Sequence, residues 1–373
     1  MLLKTKLFFM SKKLKVVIAI GGTGGHVFPG YHLAEHLTNE NYDIHLITDK
    51  RGNKYLEKLK KFKTTIIPSS PIKKGNVLFL LYSLIVIIYS FLRSLIFLIL
   101  NRPKLIFGMG GYASFPTCIA ASILNIKFII YENNLIVGKA NKYLLPFARI
   151  MFVSYKNLEG ISSKYSHKIF EIGNIINKEI INFSKTNVKK DEKQVRILIL
   201  GGSQAAKIFA ETLPNIFRKC LDKGISLKLY QHCLINQTES LKMYYSKYKI
   251  DFKTFNFSER LIDYFSKVDF AITRSGASML AELVNANIPF ISVPLPTSAD
   301  NHQLKNAYYY KHKKFGFLIE EKDLENQLFN LINEINEDSS ILLKIKNHQR
   351  QYSDKKVYDN INQILRKLVN EKN

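Results

Sequence analysis

Four times along this 373-residue chain a short apolar run ends in a glycine-containing turn and passes straight into a helical pattern. Val16–Ile20 meets Gly21-Gly-Thr-Gly-Gly-His26 ahead of a helix over Val27–Leu37. Leu105–Phe107 meets Gly108-Met-Gly-Gly-Tyr112 ahead of Ser114–Leu124. Val195–Leu200 meets Gly201-Gly-Ser-Gln204, and Thr273-Arg-Ser-Gly276 opens a helix that carries Glu282. Strand followed directly by helix is the unit of a parallel sheet, whose neighbouring strands must be joined by a crossover. Glycine lets backbone approach a ligand closely, and a helix start offers unpaired N–H groups and the positive end of its dipole. One such turn is commonly no more than a tight turn. Three glycine pairs, two on a first sheet and one opening a second, imply that phosphates are handled at the edge of both.

Strand-like runs alternate with helical ones throughout. The first half predicts strands at Val16–Ile20, Ile44–Ile47, Thr65–Ile67, Leu105–Phe107, Phe128–Tyr131 and Ile150–Val153. The second predicts them at Val195–Leu200, Leu227–Gln231, Phe252–Phe255, Phe270–Thr273 and Pro289–Val293. A polar, Lys-rich stretch, Asn182–Gln194, separates the two sets and reads as a linker. The expected fold class is α/β: two Rossmann-like, doubly wound parallel-sheet domains, 1–181 and 182–353, facing across a cleft. A C-terminal helix within 354–373 is free to pack back on the first domain.

Lys and Arg number 55 against 30 acids, a net charge of +25, which favours polyanions: nucleic acid, anionic lipid or phosphorylated substrates. Only ten of the 55 are Arg, and they are scattered, whereas base reading relies on Arg forks, so no nucleic-acid partner is expected. Cys118, Cys220 and Cys233 lie far apart, without a CxxC pair, which argues against disulfide or zinc frameworks and for a reducing compartment. Met1–Lys15 is a basic leader whose apolar patch, Leu7–Met10, is too short for a signal peptide; Met10 is an equally good start. Val77–Leu100 carries one charge, Arg93, and is long enough as a helix to cross a bilayer. Tyr82 and Ser83, Tyr89 and Ser90, then Arg93 and Ser94 recur at spacings of seven and four, a thin polar stripe. The run also lies between two strand–glycine–helix units of one sheet, which a true span would put on opposite sides of the membrane. The expectation is a crossover helix, half buried against the sheet and half in the membrane interface, with a span and an ordinary buried helix as alternatives.

Glu282 falls on the first turns of its helix, where a carboxylate could accept both hydroxyls of a ribose; taken alone it reads more simply as a solvated surface acid. Asp300-Asn-His-Gln303 is a polar cluster suited to sugar hydroxyls. A dinucleotide fingerprint would want Gly where Val27 stands, although Asp49 could serve as its ribose-gripping acid.

Taken in order, GGTGGHVFPG (Gly21–Gly30), GMGGYASFP (Gly108–Pro116), YENNLIVGKAN (Tyr131–Asn141), Gly173-Asn174, GGSQAAK (Gly201–Lys207), RSGASMLAE (Arg274–Glu282) and HQLKNA (His302–Ala307) carry a resemblance over nearly the whole chain. The chain resembles the peptidoglycan N-acetylglucosaminyltransferases that convert lipid I to lipid II. The resemblance implies a GT-B fold, inverting chemistry, a UDP-N-acetylglucosamine donor on the C-terminal half and an undecaprenyl-linked lipid I acceptor on the N-terminal half. Carried over by position, Thr23, Gly24, Gly25 and Asn134 would contact the donor from one side. Ser203, Ala277, Ser278, Met279, Leu280, Ala281, Glu282 and Gln303 would contact it from the other, with Glu282 on the ribose diol and Gln303 on the sugar. Gly21, Gly22, Gly110, Gly111 and Tyr112 would cradle the acceptor diphosphate. His26 is the first choice of general base, against a merely loop-stabilising role, and Glu132 the second. No Asp-x-Asp motif occurs, so neither a metal nor another cofactor is expected.

Three departures fall at the donor side: Ile175-Ile176-Asn177 where the family commonly has Pro-Val-Arg, Tyr131-Glu132-Asn133-Asn134 for His-Glu-Gln-Asn, and Ser258 for an apolar residue near the uracil. They suggest altered donor affinity and not a different reaction. The implied location is peripheral, on the cytoplasmic face of the plasma membrane, against an anionic surface. The competing readings are another GT-B lipid glycosyltransferase or a UDP-sugar epimerase and, in other classes, a Rossmann oxidoreductase or a non-enzymatic membrane adaptor.

Overall fold

Short, fully buried aliphatic runs such as Val16–Ala19 and Ile197–Leu200 cannot face water on either side, so they form sheet centres covered by helices on both faces. The computed structural model describes residues 13–59, 61–70, 77–183, 194–202, 206–256, 258 and 260–370. The expected linker and the basic leader lie largely outside them.

The first unit runs β1 (Lys15–Ala19), α1 (Gly24–Asn39), β2 (Asp43–Thr48), α2 (Lys50–Leu59), β3 (Lys63–Ile66), α3 (Val77–Asn101) and β4 (Leu105–Gly108). It continues with α4 (Ser114–Ile123), β5 (Phe128–Glu132), α5 (Lys139–Leu144), β6 (Ile150–Val153), β7 (Ile169–Glu171) and α6 (Lys178–Ile181). Its seven strands are all parallel, in the order β3-β2-β1-β4-β5-β6-β7.

The second unit runs β8 (Gln194–Leu200), α7 (Lys207–Asp222), β9 (Ser226–His232), α8 (Ile235–Lys247), β10 (Asp251–Phe255), α9 (Ile262–Phe265) and β11 (Phe270–Thr273). Then come α10 (Ala277–Asn285), β12 (Phe290–Ser292), α11 (His302–His312), β13 (Phe317–Leu318), α12 (Leu324–Glu337) and α13 (Ser340–Gln349). Its six parallel strands are ordered β10-β9-β8-β11-β12-β13. Strand order reverses beside β1 and β4 in one sheet and beside β8 and β11 in the other. Those four strands are the ones that end in the four glycine turns, and ligands of open parallel sheets bind at such switch points.

The last helix, α14 (Val357–Asn370), returns to the first unit, where Val357, Tyr358, Ile361, Leu365 and Leu368 join the core around α1 and β1. Tyr358 Oη donates to the Ile176 carbonyl at 2.6 Å, and His36 Nε2 lies 2.8 Å from Asn362 Oδ1. Where the chain crosses back, buried Asp354 accepts from the Asn174 N–H (2.8 Å), Asn285 Nδ2 (2.7 Å) and Tyr352 Oη (3.1 Å), tying both units to one carboxylate.

Helix α3 is the crossover between β3 and β4, as the topology demanded, and it packs on α4. Its small residues turn inward. Ser83 meets Ser70 at 2.9 Å, Ser94 meets Thr117 at 3.2 Å, and Ser90 donates to the Pro68 carbonyl at 2.6 Å. Leu81, Ile85, Ile88, Leu92 and Ile96, spaced three or four apart on the opposite face, are exposed. The helix is therefore less buried than its expected half, and it is long and apolar enough to cross a membrane.

Candidate active site

The two switch points face each other across a cleft of about 2220 Å³. On the first unit, the turns after β1 and β4 are locked together: the Gly21 N–H donates to the Gly110 carbonyl at 3.2 Å. Gly110 (φ 89°) and Gly111 (φ 79°) take left-handed backbone. A Cβ on Gly110 would stand 2.8 Å from the His26 ring, and one on Gly111 only 2.3 Å from the Gly21 oxygen. The close approach these glycines permit is thus to His26 and to the Gly21 backbone.

Asp49, at the end of β2, takes the next amide. Its carboxylate accepts from the Gly22 N–H (3.2 Å), the Gly52 N–H (2.8 Å), Ser69 Oγ (2.7 Å) and Arg51 Nη2 (3.0 Å). Burial pushes Asp49 upward, but these donors outweigh it and hold its carboxyl below the ordinary range. The N–H groups of Gly21 and Gly22, expected at the acceptor diphosphate, are therefore already bound within the protein. Gly22, Gly110, Gly111 and Tyr112 line the cleft; Gly21 is buried behind them.

His26 sits in the first turn of α1. Burial holds its imidazole below its ordinary value, with the Glu132 carboxylate opposing that shift and His302 and Arg51 adding to it. The ring is therefore neutral at neutral pH, as a proton acceptor must be. Glu132, the second choice of base, is engaged on both oxygens. Oε1 accepts from the Asn134 N–H (3.1 Å) and Nδ2 (2.9 Å), and Oε2 from the Gly138 N–H (2.8 Å) and Asn141 Nδ2 (3.0 Å). Held on both oxygens, the carboxylate fixes the loop after β5 and stands near His26.

On the second unit α10 opens at Gly276 with no side-chain cap, and Ala277, Ser278, Met279 and Glu282 line the cleft. Leu280 and Ala281, expected at the donor, point the other way and are fully buried, as a 3.6-residue period requires. The Glu282 carboxylate is buried at the cleft wall with no hydrogen-bond or ionic partner among the described residues, and burial raises it to about 8. Gln303 lines the cleft while its Oε1 accepts from the Leu295 N–H at 2.9 Å, closing the loop that carries Asp300 and His302. Thr23, Gly24 and Gly25 line the opposing side. Ser203 lies outside the described residues.

The halves also touch directly. Asn133 Nδ2 donates to the Gly25 carbonyl (2.9 Å) and Ser278 Oγ (3.1 Å), so one side chain joins the starts of α1 and α10. Asn306 Nδ2 donates to Asn134 Oδ1 and to the Ser275 carbonyl, both at 3.2 Å. Asn134 lines the cleft and also helps to hold the units together. Asn133, Asn306 and Arg51 were not singled out from the sequence. Asp49-Lys-Arg-Gly52 does have a signal, since it is itself a strand end running into a helix. No cluster of three metal-ligating side chains occurs among the described residues.

Twin parallel sheets with their switch points opposed across one cleft define a GT-B fold. Residues 16–153 match the glycosyltransferase family 28 N-terminal domain and residues 196–364 its C-terminal domain. A UDP-N-acetylglucosamine–N-acetylmuramyl-(pentapeptide) pyrophosphoryl-undecaprenol N-acetylglucosamine transferase of Pelagibacter ubique is 34% identical over 359 residues, 96% of this chain and 99% of that one. One of the same name from Rickettsia canadensis is 33% identical over 312 residues, 83% and 87% of the two chains. The chain belongs to this N-acetylglucosaminyltransferase family. In fold it is similar to Acinetobacter baumannii MurG, with a TM-score of 0.73 at 22% identity, covering 95% of this chain and all of that one. It is also similar to Staphylococcus aureus MnaA in its UDP co-structure, with a TM-score of 0.67 at 16% identity over 96% and 97% of the chains.

Proposed function

We propose that this chain transfers N-acetylglucosamine from UDP-N-acetylglucosamine to the C4 hydroxyl of undecaprenyl-diphospho-N-acetylmuramoyl-pentapeptide, converting lipid I to lipid II with inversion at the anomeric carbon. The observation that carries this is kinship along almost the entire chain with transferases named for that reaction.

Within that reading, UDP lies against the start of α10. The N–H groups of its first turn take up charge on the departing diphosphate, and the ribose diol meets Glu282. Gln303 and the loop before it hold the sugar. The acceptor hydroxyl attacks from the face opposite UDP and loses its proton to His26. The engaged Glu132 carboxylate favours the imidazolium so formed, which makes Glu132 a positioning and electrostatic partner. Support for His26 is its place at the junction of the two N-terminal glycine turns, facing the α10 wall.

The acceptor is anchored in a bilayer, so the protein must meet a membrane. The outward leucines and isoleucines of α3, beside a strongly basic chain, suit peripheral binding to the anionic cytoplasmic face. Incubating the protein with labelled UDP-N-acetylglucosamine and a lipid I analogue, without added metal, tests the reaction. The expected product carries the label in β-linkage; unlabelled acceptor, with donor intact, overturns the assignment.

A further inference from the structure

The N-terminal half has to hold a diphosphate next to His26, yet two of the glycine amides expected there are occupied. Gly22 N–H is bound by Asp49 and Gly21 N–H by the Gly110 carbonyl. What stands open at that point is a cation. Arg51 occupies the first turn of α2 on the cleft wall, its side chain half exposed. It gives Nη2 to Asp49 at 3.0 Å, and its guanidinium lies over the Tyr112 ring, 5.5 Å from the centroid. It makes no other hydrogen bond among the described residues. Asp49 is itself held by Gly22, Gly52 and Ser69, so it fixes one edge of the fork and leaves the remaining N–H groups for a ligand. Lys54, one turn further along α2, lines the same wall. Beyond Tyr112 the wall continues through Phe115 to Ile87 of α3, the helix whose other face is apolar and exposed.

We infer that Arg51, stacked on Tyr112 and oriented by Asp49, binds the diphosphate of the polyprenyl-linked acceptor, with Lys54 as a second cation. The sugar then reaches His26 on one side while the lipid leaves toward α3 on the other. This rests on the reading above for its substrate, but the anion site is a separate claim. A fork suits two phosphates in a way that a point charge does not, so Lys is an imperfect replacement.

The test uses the full chain and two variants, Arg51→Gln, which keeps a neutral donor toward Asp49, and Arg51→Lys. Loss of a hydrogen bond to a charged group corresponds to roughly tenfold or more in affinity. The acceptor KM should rise about that much in Arg51→Gln, with UDP affinity unchanged and partial recovery in Arg51→Lys. Farnesyl diphosphate, titrated calorimetrically without donor, should bind the wild type better than farnesyl monophosphate does, and Arg51→Gln should lose that preference. Arg51-dependent binding in a protein that transfers no sugar would keep the anion site and remove the lipid I reading. An unchanged acceptor KM in Arg51→Gln, equal farnesyl diphosphate binding by variant and wild type, or none by the wild type, overturns the site. If Arg51→Gln melts early, the Lys variant alone carries the comparison of diphosphate with monophosphate.

Discussion

Between β3 and β4 the chain passes through α3, 25 residues long, whose leucines and isoleucines face outward; at the matching step of the second sheet, between β10 and β11, the four-residue helix α9 suffices and buries Phe265. Both crossovers join the same positions of the same strand order, so closing the sheet does not require the long helix. The switch points differ in a parallel way. α1 and α10 both start at the cleft without a side-chain cap, but in the first unit the neighbouring Gly21 and Gly22 amides are taken up by Gly110 and Asp49, and the Arg51 side chain stands beside them. One sheet plan is thus used twice. On the proposed reading the second copy holds the soluble nucleotide, and the first meets a membrane-held substrate with Arg51 and the apolar face of α3.

The largest expected effect tests where the chemistry sits. His26→Ala should lower transfer by about 10²-fold or more, leaving UDP binding and melting temperature close to wild type. Wild-type turnover in that variant would move the base elsewhere and erase the division between a reacting half and a nucleotide-holding half. Next comes α3. Replacing Leu81, Ile85 and Ile88 together by Asp removes three exposed apolar side chains, each worth about 1.5–3 kcal/mol when fully buried. Binding to anionic vesicles should fall by tens-fold or more, while turnover of a short-chain soluble acceptor stays level. The inner face predicts the converse: Ser90→Leu overfills the slot against Pro68 and costs about 1–3 kcal/mol of stability without touching vesicle binding. Vesicle binding that survives the outer triple variant would make α3 a structural crossover like α9.

Glu282 gives a smaller and sharper signature. Burial raises it to about 8, so near pH 7 the carboxyl is mostly protonated before ligand arrives. Two ribose hydroxyls donating to it favour the charged form and pull the pKa down. UDP binding at pH 7 should therefore release up to about one proton, seen as a calorimetric heat that depends on the buffer's ionisation enthalpy. The release should fade well above pH 8 and vanish in Glu282→Gln. Because folding raises this acid, its contribution to apo stability is present at acid pH and is lost as pH rises through about 8. Proton-neutral binding by the wild type would place the ribose away from α10.

The sheets were largely legible in the sequence because parallel strands buried on both faces read as unbroken aliphatic runs. Ile150–Val153 and Phe270–Thr273 match residue for residue, and the other nine predicted strands shift by only a residue or two at their ends. The two strands the pattern missed, Ile169–Glu171 and Phe317–Leu318, are edge strands of three and two residues, too short to show a run. The glycine turns showed where the site lies but not which amides are open. That depends on Asp49 reaching 27 residues back to Gly22, a contact no local pattern encodes. The surroundings of Glu132 were hidden for the same reason, since its donors Gly138 and Asn141 are set by how the loop after β5 folds. Leu280 and Ala281 were the avoidable error: helical period alone turns them from the cleft once Glu282 faces it.

The smallest expected effect concerns α14, which belongs in sequence to the second unit and in space to the first. His36 on α1 meets Asn362 of α14 at 2.8 Å and stacks near Tyr358, with ring centroids 4.5 Å apart. Burial holds His36 below its ordinary value, and the hydrogen bond it gives to Asn362 Oδ1 opposes this without cancelling it. The unfolded chain therefore binds the proton more readily. Stability from this group is present above the ordinary histidine pKa of about 6.5 and is lost as pH falls below it. His26, His45 and His232 are displaced in the same direction, chiefly by burial, and add to this acid-side loss, which the raised Glu282 opposes. His36→Gln keeps a partner for Asn362 but cannot titrate, so melting temperature in that variant should fall less steeply between pH 7 and pH 5.5. An acid slope identical to wild type would mean that α14 has already left α1 before His36 takes up its proton, and that the contact between the two units is the first part of the fold to open.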